Sequence, residues 1–141
     1  MSSPWNLLHT ECIVVRWGDM DSVGHVNNAV YFTYMESARV GWLRQLAIEV
    51  GLGDRHQGPV TANAFCSYRR AVVYPATLQI KLWGGPAGNT SFETSYEIRD
   101  DADQAALYCE GSARLVWVDY GSGRPIPLPT AVRNLLPSAE G

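Results

Sequence analysis

The sequence predicts an α+β domain in which one long helix covers a face of an antiparallel sheet. Three observations carry this. One run of helical period lies between residues 28 and 50, one β-branched stretch precedes it, and four longer strand-like stretches follow it. That many antiparallel strands need a cover on one face, and only the long helix is large enough to supply it.

The first predicted strand is Glu11 to Trp17, read as ECIVVRW, whose β-branched residues suit a pleated surface. It leads into DMDSVGHVNN, where Asn27 or Asn28 supplies the short oxygen-bearing side chain that caps a helix start. Behind the cap, Tyr31, Tyr34, Met35, Ala38, Trp42 and Leu46 recur mostly at steps of three and four, which places them on one helical face. Thr33, Glu36, Arg39 and Arg44 lean the other way. The helix is expected to run to about Val50 and to stop at Gly51, a residue suited to a left-handed cap.

After the loop GLGDRHQGP the predicted strands are Val60 to Val73, Thr77 to Leu82, Ser91 to Arg99 and Ala106 to Val118. VYPA, GGPAGN and DDADQ separate them with turn-forming residues. In FETSYEI, Phe92, Tyr96 and Ile98 alternate only imperfectly with polar positions. ARLVWV is less periodic still, which suggests burial on both faces. The tail IPLPTAVRNLLP enters through prolines and holds one short helix. With no internal repeat and no low-complexity linker, residues 1–141 read as a single domain.

Composition narrows the function classes. At 46% hydrophobic and 18% charged residues the chain is an ordinary globule. A net charge of −3 argues against nucleic acid as the main partner, since phosphate backbones want a basic surface. Ten of the eleven basic residues are Arg, scattered except for Arg69-Arg70, which can hold a small anionic ligand locally. MSSPWNLLHTE has neither a basic opening nor a continuous apolar stretch, so no signal peptide is expected there. No apolar run approaches the ~20 residues that span a bilayer. Cys12, Cys66 and Cys109 are odd in number and lie in predicted strands, so they read as small buried hydrophobes of a reducing compartment. The expected location is cytoplasmic.

DMDSVGHVNN gathers two carboxylates, an imidazole and two amides before a core helix. It reads as an elaborate turn, a metal site or half of an active site. Asp-Ser-Val-Gly suits a type I or II turn, with Asp21 merely capping it. Asp19, Asp21 and His25 are possible metal ligands, but no second His cluster or Cys pair completes a shell. His9 and His56 are expected in a frayed end and a Gly-rich loop, so neither a metal nor another cofactor is predicted. The chain has no G-x-S-x-G nucleophile elbow.

The stretch WGDMDSVGHVNNAVYFTYMESAR resembles the signature of the hot-dog-fold acyl-CoA thioesterases, specifically the 4-hydroxybenzoyl-CoA thioesterase group. Its pattern is D-x-D-x-x-G-H-V-N-N followed by Y-x-x-Y-x-E-x-A-R on the helix. GSARLVWVDYGSGRPIPLP is similar to the family's last strand, its turn and its exit through prolines. The resemblance spans roughly residues 10 to 130. It implies a hot-dog fold, an antiparallel sheet wrapped around one long central α-helix. It also implies a homodimer or homotetramer, with sheets joined edge to edge and active sites at the subunit interface.

The activity so implied is hydrolysis of an acyl-CoA thioester, which needs an activated nucleophile and a donor for the oxyanion. Asp21 takes the place of the catalytic carboxylate, attacking the thioester directly or deprotonating a water. The backbone N–H of Asn28 is the implied oxyanion donor, because the first amides of a helix lack internal partners. Gly24 would keep bulk away from the thioester, and His25 would orient substrate, carry a proton or serve structure alone. Val26, Asn27, Tyr31, Arg69 and Arg70 complete the implied substrate-binding set, although Asn27 more often caps than binds. Asp19 reads as a turn or salt-bridge residue, and Glu36 as a solvated or Arg39-paired carboxylate.

Tyr31, Phe32, Tyr34, Trp42, Phe65 and Tyr68 are candidates for an acyl pocket, yet aromatics at helical spacing more often form core. Some family members carry a basic cluster for coenzyme A in the turn that here reads GGPAGNTSF, without charge. Backbone amides of that turn, or Arg69 and Arg70, would have to replace it, unless the thiol carrier is a protein-bound phosphopantetheine. The alternative functions are a hot-dog acyl-thioester or small-ligand binding protein, an acyl-carrier-protein thioesterase, a dehydratase-like relative, and an interaction domain without a small-molecule site.

Overall fold

Strand β1 (Asn6–Val14) is followed by a one-turn 3-10 helix at Trp17–Asp19 and then by helix α1 (Val30–Glu49). Strands β2 (Gln57–Tyr68), β3 (Thr77–Gly84), β4 (Ser91–Asp100) and β5 (Leu107–Asp119) come next, and the short helix α2 (Thr130–Arg133) ends the order. These elements belong to a computed structural model that describes residues 5–49 and 56–138.

The five strands form one sheet in the order β1-β3-β4-β5-β2, every neighbouring pair antiparallel. Strands β3, β4 and β5 follow one another directly, as short turns dictate. The chain leaves β1 at one edge, runs through α1, and re-enters the sheet at the opposite edge as β2. The loop before α1 is therefore held between an edge strand and the helix start.

One face of the sheet meets α1. Leu78, Ile80 and Leu82 of β3 alternate with half-buried residues, as a sheet with one covered face requires. Phe92, Tyr96 and Ile98 of β4 and Cys109, Ala113, Leu115 and Trp117 of β5 join them in the core. All six predicted helix-face residues, Tyr31, Tyr34, Met35, Ala38, Trp42 and Leu46, are buried there. Each such large side chain contributes roughly 1.5–3 kcal/mol on leaving water. Gly111 is the notch for Met35, since a Cβ at that position would lie 2.7 Å from Met35 Sδ. Thr94 explains the imperfect alternation of FETSYEI. It is fully buried, with its hydroxyl donating to the Ala113 carbonyl at 2.7 Å and touching the Tyr96 hydroxyl at 2.8 Å.

Several expectations shift. The first strand begins five residues before Glu11 and ends at Val14, so Trp17 belongs to the 3-10 turn, and His9 is paired with Glu11 at 2.7 Å inside β1. Cys12 is exposed rather than buried; only Cys109 is fully buried. Strand β2 stops at Tyr68, which leaves Arg69 and Arg70 beyond the strand. In ARLVWV, Arg114 is exposed and Val116 half-buried, so most of the run has one covered face. Arg39 turns inward and donates to the Tyr96 hydroxyl at 3.1 Å, so it is neither on the solvated face nor paired with Glu36. The expected helix end at Val50 and Gly51 lies outside the described residues.

Candidate functional site

The loop between β1 and α1 is tied down at Asp19. Its Oδ2 accepts the Arg16 N–H at 3.0 Å and the Tyr34 hydroxyl at 2.8 Å, and its Oδ1 faces the Arg16 guanidinium at 3.3 Å. The Asp19 carbonyl accepts the Asn27 N–H at 2.9 Å, so one residue joins the strand exit, the helix and the far end of the loop. Asp19 is only 5% exposed. Burial alone would raise its carboxyl, but the Arg16 N–H, the Tyr34 hydroxyl and the Arg16 charge outweigh it and hold the group below the usual range.

Asp21 folds over its own turn. Its Oδ1 accepts the N–H groups of Val23 at 3.0 Å and His25 at 3.2 Å. The Asp21 N–H donates to the His25 carbonyl at 2.7 Å, and the Asp21 carbonyl accepts from Gly24 at 3.1 Å. Gly24 has φ +81° and open space where a Cβ would stand, so the backbone conformation is what asks for glycine there. Asp21 Oδ2 has no hydrogen-bond partner among the described residues.

The helix start uses its amides unevenly. Asn27 Oδ1 accepts the Ala29 N–H and the Asn27 carbonyl accepts the Val30 N–H, both at 2.9 Å, which makes Asn27 the capping side chain. The Val26 N–H reaches the Val72 carbonyl at 2.9 Å. From Val23 to Val30, the Asn28 N–H is the exception: it has no hydrogen-bond partner among the described residues. An unpaired amide in the first turn is where a helix receives negative charge.

Asp21 and Asn28 line one cavity of about 430 Å³, together with Val23, His25, Val26, Tyr31, Tyr68, Arg69, Arg70 and Ala71. Tyr31 and Tyr68 meet edge to face with ring centroids 5.0 Å apart. Arg69 is paired with Glu110 at 2.6 Å, and the Arg70 guanidinium lies 5.5 Å from the centre of the Tyr108 ring. Cys66 Sγ sits 3.3 Å from Met35 Sδ. Burial pushes the Cys109 thiol up to about 12, so it stays protonated and is no nucleophile.

The fold thus brings Asp21, His25, Val26, Asn28, Tyr31, Arg69 and Arg70 together around one cavity. Gly24 and Asn27 serve the loop and the cap instead of lining it. Val23 and Ala71 have no sequence signal of their own, and Tyr68 was legible only as one aromatic among six. Charge also reaches the uncharged GGPAGN turn from outside. Arg133 of α2 donates to the carbonyls of Gly88 at 2.9 Å and Asn89 at 3.1 Å. Among the described residues, no group of three or more His, Cys, Asp and Glu is placed to hold a metal ion.

A five-stranded antiparallel sheet with one long helix is the architecture of the hot-dog fold. The family model described as the Thioesterase-like superfamily matches residues 15–136, and the chain belongs to that superfamily. Thioester hydrolysis is the chemistry of this class. The chain is 41% identical to the PA2801 protein of Pseudomonas aeruginosa, a proposed thioesterase, covering 91% of this chain and 97% of that one with a TM-score of 0.84. It is 40% identical to a proposed acyl-CoA thioesterase of Xanthomonas campestris, covering 80% of this chain and 94% of that one with a TM-score of 0.71. The uncharacterized protein YsmA of Bacillus subtilis is 25% identical over 114 residues, which is 81% of this chain and 75% of YsmA. No helix among the described residues is long and apolar enough to cross a membrane.

Proposed function

We propose that the protein hydrolyses an acyl-CoA thioester to the free acid and coenzyme A, using Asp21 and the Asn28 N–H. One observation carries this reading: the free Oδ2 side of Asp21 and the unpaired Asn28 amide belong to the same cavity. The carboxylate takes the proton of an attacking water, or itself attacks the carbonyl carbon. In either route the carbonyl oxygen gains charge, and the Asn28 N–H at the helix start receives it. Relatives at 40% and 41% identity that are named as thioesterases, one of them for acyl-CoA, support this substrate class.

Arg69 and Arg70 on the cavity wall are the groups proposed to meet coenzyme A phosphates. A second copy is proposed to pair along β2, an edge strand whose Phe65 is 61% exposed. Light scattering would give a dimer or tetramer mass, and a monomer mass would remove this part.

The direct test is a panel of acetyl-, hexanoyl-, palmitoyl- and benzoyl-CoA, with thiol release followed by a chromogenic disulfide. Saturable release from at least one of them is the expected result. Silence across the panel, with the protein folded by circular dichroism, would refute the proposal.

A further inference from the structure

We infer that Tyr68 is a positioning residue for this reaction: its hydroxyl holds the main chain of Asn28 so that the Asn28 N–H stays turned to the cavity. The inference rests on the thioesterase reading and adds a residue to it. The hydroxyl of Tyr68 donates to the Asn28 carbonyl at 2.8 Å. In a regular helix that carbonyl would be taken by the amide of Phe32, four residues on. Here the Phe32 N–H donates instead to Ala29 at 3.2 Å, so the first turn is tightened. The Asn28 carbonyl is thereby released from the helix and captured by β2 from across the cavity.

Residue 28 is thus held from one side by a side chain 40 positions away, while its own N–H is left without a partner. The Asn28 carbonyl could have closed onto the helix and does not, while its N–H, at the very start of the first turn, has no helical carbonyl to meet. The holder is itself fixed. The Tyr68 ring leans on Tyr31, whose hydroxyl accepts the Val72 N–H at 3.3 Å, and Val72 in turn takes the Val26 N–H. Burial first, and then the neighbouring thiols of Cys66 and Cys109, raise the Tyr68 hydroxyl above its ordinary range, which keeps it a neutral donor at working pH. With Tyr68 43% exposed, its bond to Asn28 contributes little to the core.

Tyr68→Phe separates positioning from packing, because the ring and its contact with Tyr31 remain. The acyl-CoA most rapidly hydrolysed by the parent, from the four named above, is the substrate. Loss of one neutral hydrogen bond behind the oxyanion donor should lower kcat about five- to tenfold. KM should stay within about twofold and the melting temperature should be unchanged. Both proteins are assayed at a temperature where circular dichroism shows them folded. A parent-like kcat, or a change confined to KM, overturns the positioning role while leaving the thioesterase reading intact. A parent that hydrolyses none of the four removes both.

Discussion

The hydroxyl of Tyr34 donates to Oδ2 of Asp19 across 2.8 Å, in a site where the carboxylate is almost wholly withdrawn from water. This bond fastens the second turn of α1 to the loop that carries Asp21. Burial and the negative charge of Asp19 together push the Tyr34 hydroxyl well above its ordinary range, so it remains a donor throughout the working pH range. Tyr34→Phe keeps the ring in the core and strips one partner from a buried carboxylate. The expected loss is about 1–2 kcal/mol in urea unfolding; an unchanged midpoint and slope would show that Asp19 does not depend on this bond.

Asp19 also predicts how stability changes with acid. Its carboxyl titrates below the unfolded value of about 3.9, so its contribution is fully present above that pH. The contribution is lost as pH falls through the unfolded value and then through the lower folded one. Asp100, held down by the Tyr108 hydroxyl, and Asp119, held down by Ser122, act in the same direction. Urea midpoints measured from pH 6 to pH 3 should therefore fall, and Asp19→Asn should flatten part of that slope. A midpoint that rises toward pH 3 would contradict the assignment.

The packing of α1 on β5 gives a third expectation. A methyl at Gly111 would press on Met35 Sδ at 2.7 Å and Cε at 2.9 Å, and on the Phe65 backbone carbonyl at 3.2 Å. Met35 can turn aside, but the strand carbonyl cannot. Gly111→Ala should cost about 1–3 kcal/mol by calorimetry or urea unfolding, and a neutral result would show that the sheet yields there.

Much of this was written into local pattern. The helix face from Tyr31 to Leu46 was legible because burial on one side imposes a 3.6-residue period. Strands β3 to β5 were legible because β-branched and aromatic runs are cut by turn residues. The loop motif pointed to Asp21 and Asn28 through a resemblance, since composition alone reads Asp21 as a turn cap. The structure shows that it does cap, with Oδ1, and lines the cavity as well.

What stayed hidden depends on contacts between distant residues. No period reveals that Tyr68 closes on Asn28 or that Arg133 reaches Gly88. Cys12 looked like core because its neighbours are β-branched, but β1 is an edge strand and that position faces out. Arg39 looked solvated because charge usually is, yet the Tyr96 hydroxyl gives its guanidinium a partner inside.

Asp21→Asn is the most direct test of the proposed chemistry, because asparagine keeps an Oδ1 for the amides of Val23 and His25 and so should keep the loop. With the parent's best acyl-CoA, kcat should fall by about 10²- to 10⁴-fold while circular dichroism and the melting temperature stay parent-like. Full turnover by Asp21→Asn would contradict a catalytic role for this carboxylate and leave it as the cap of its own turn.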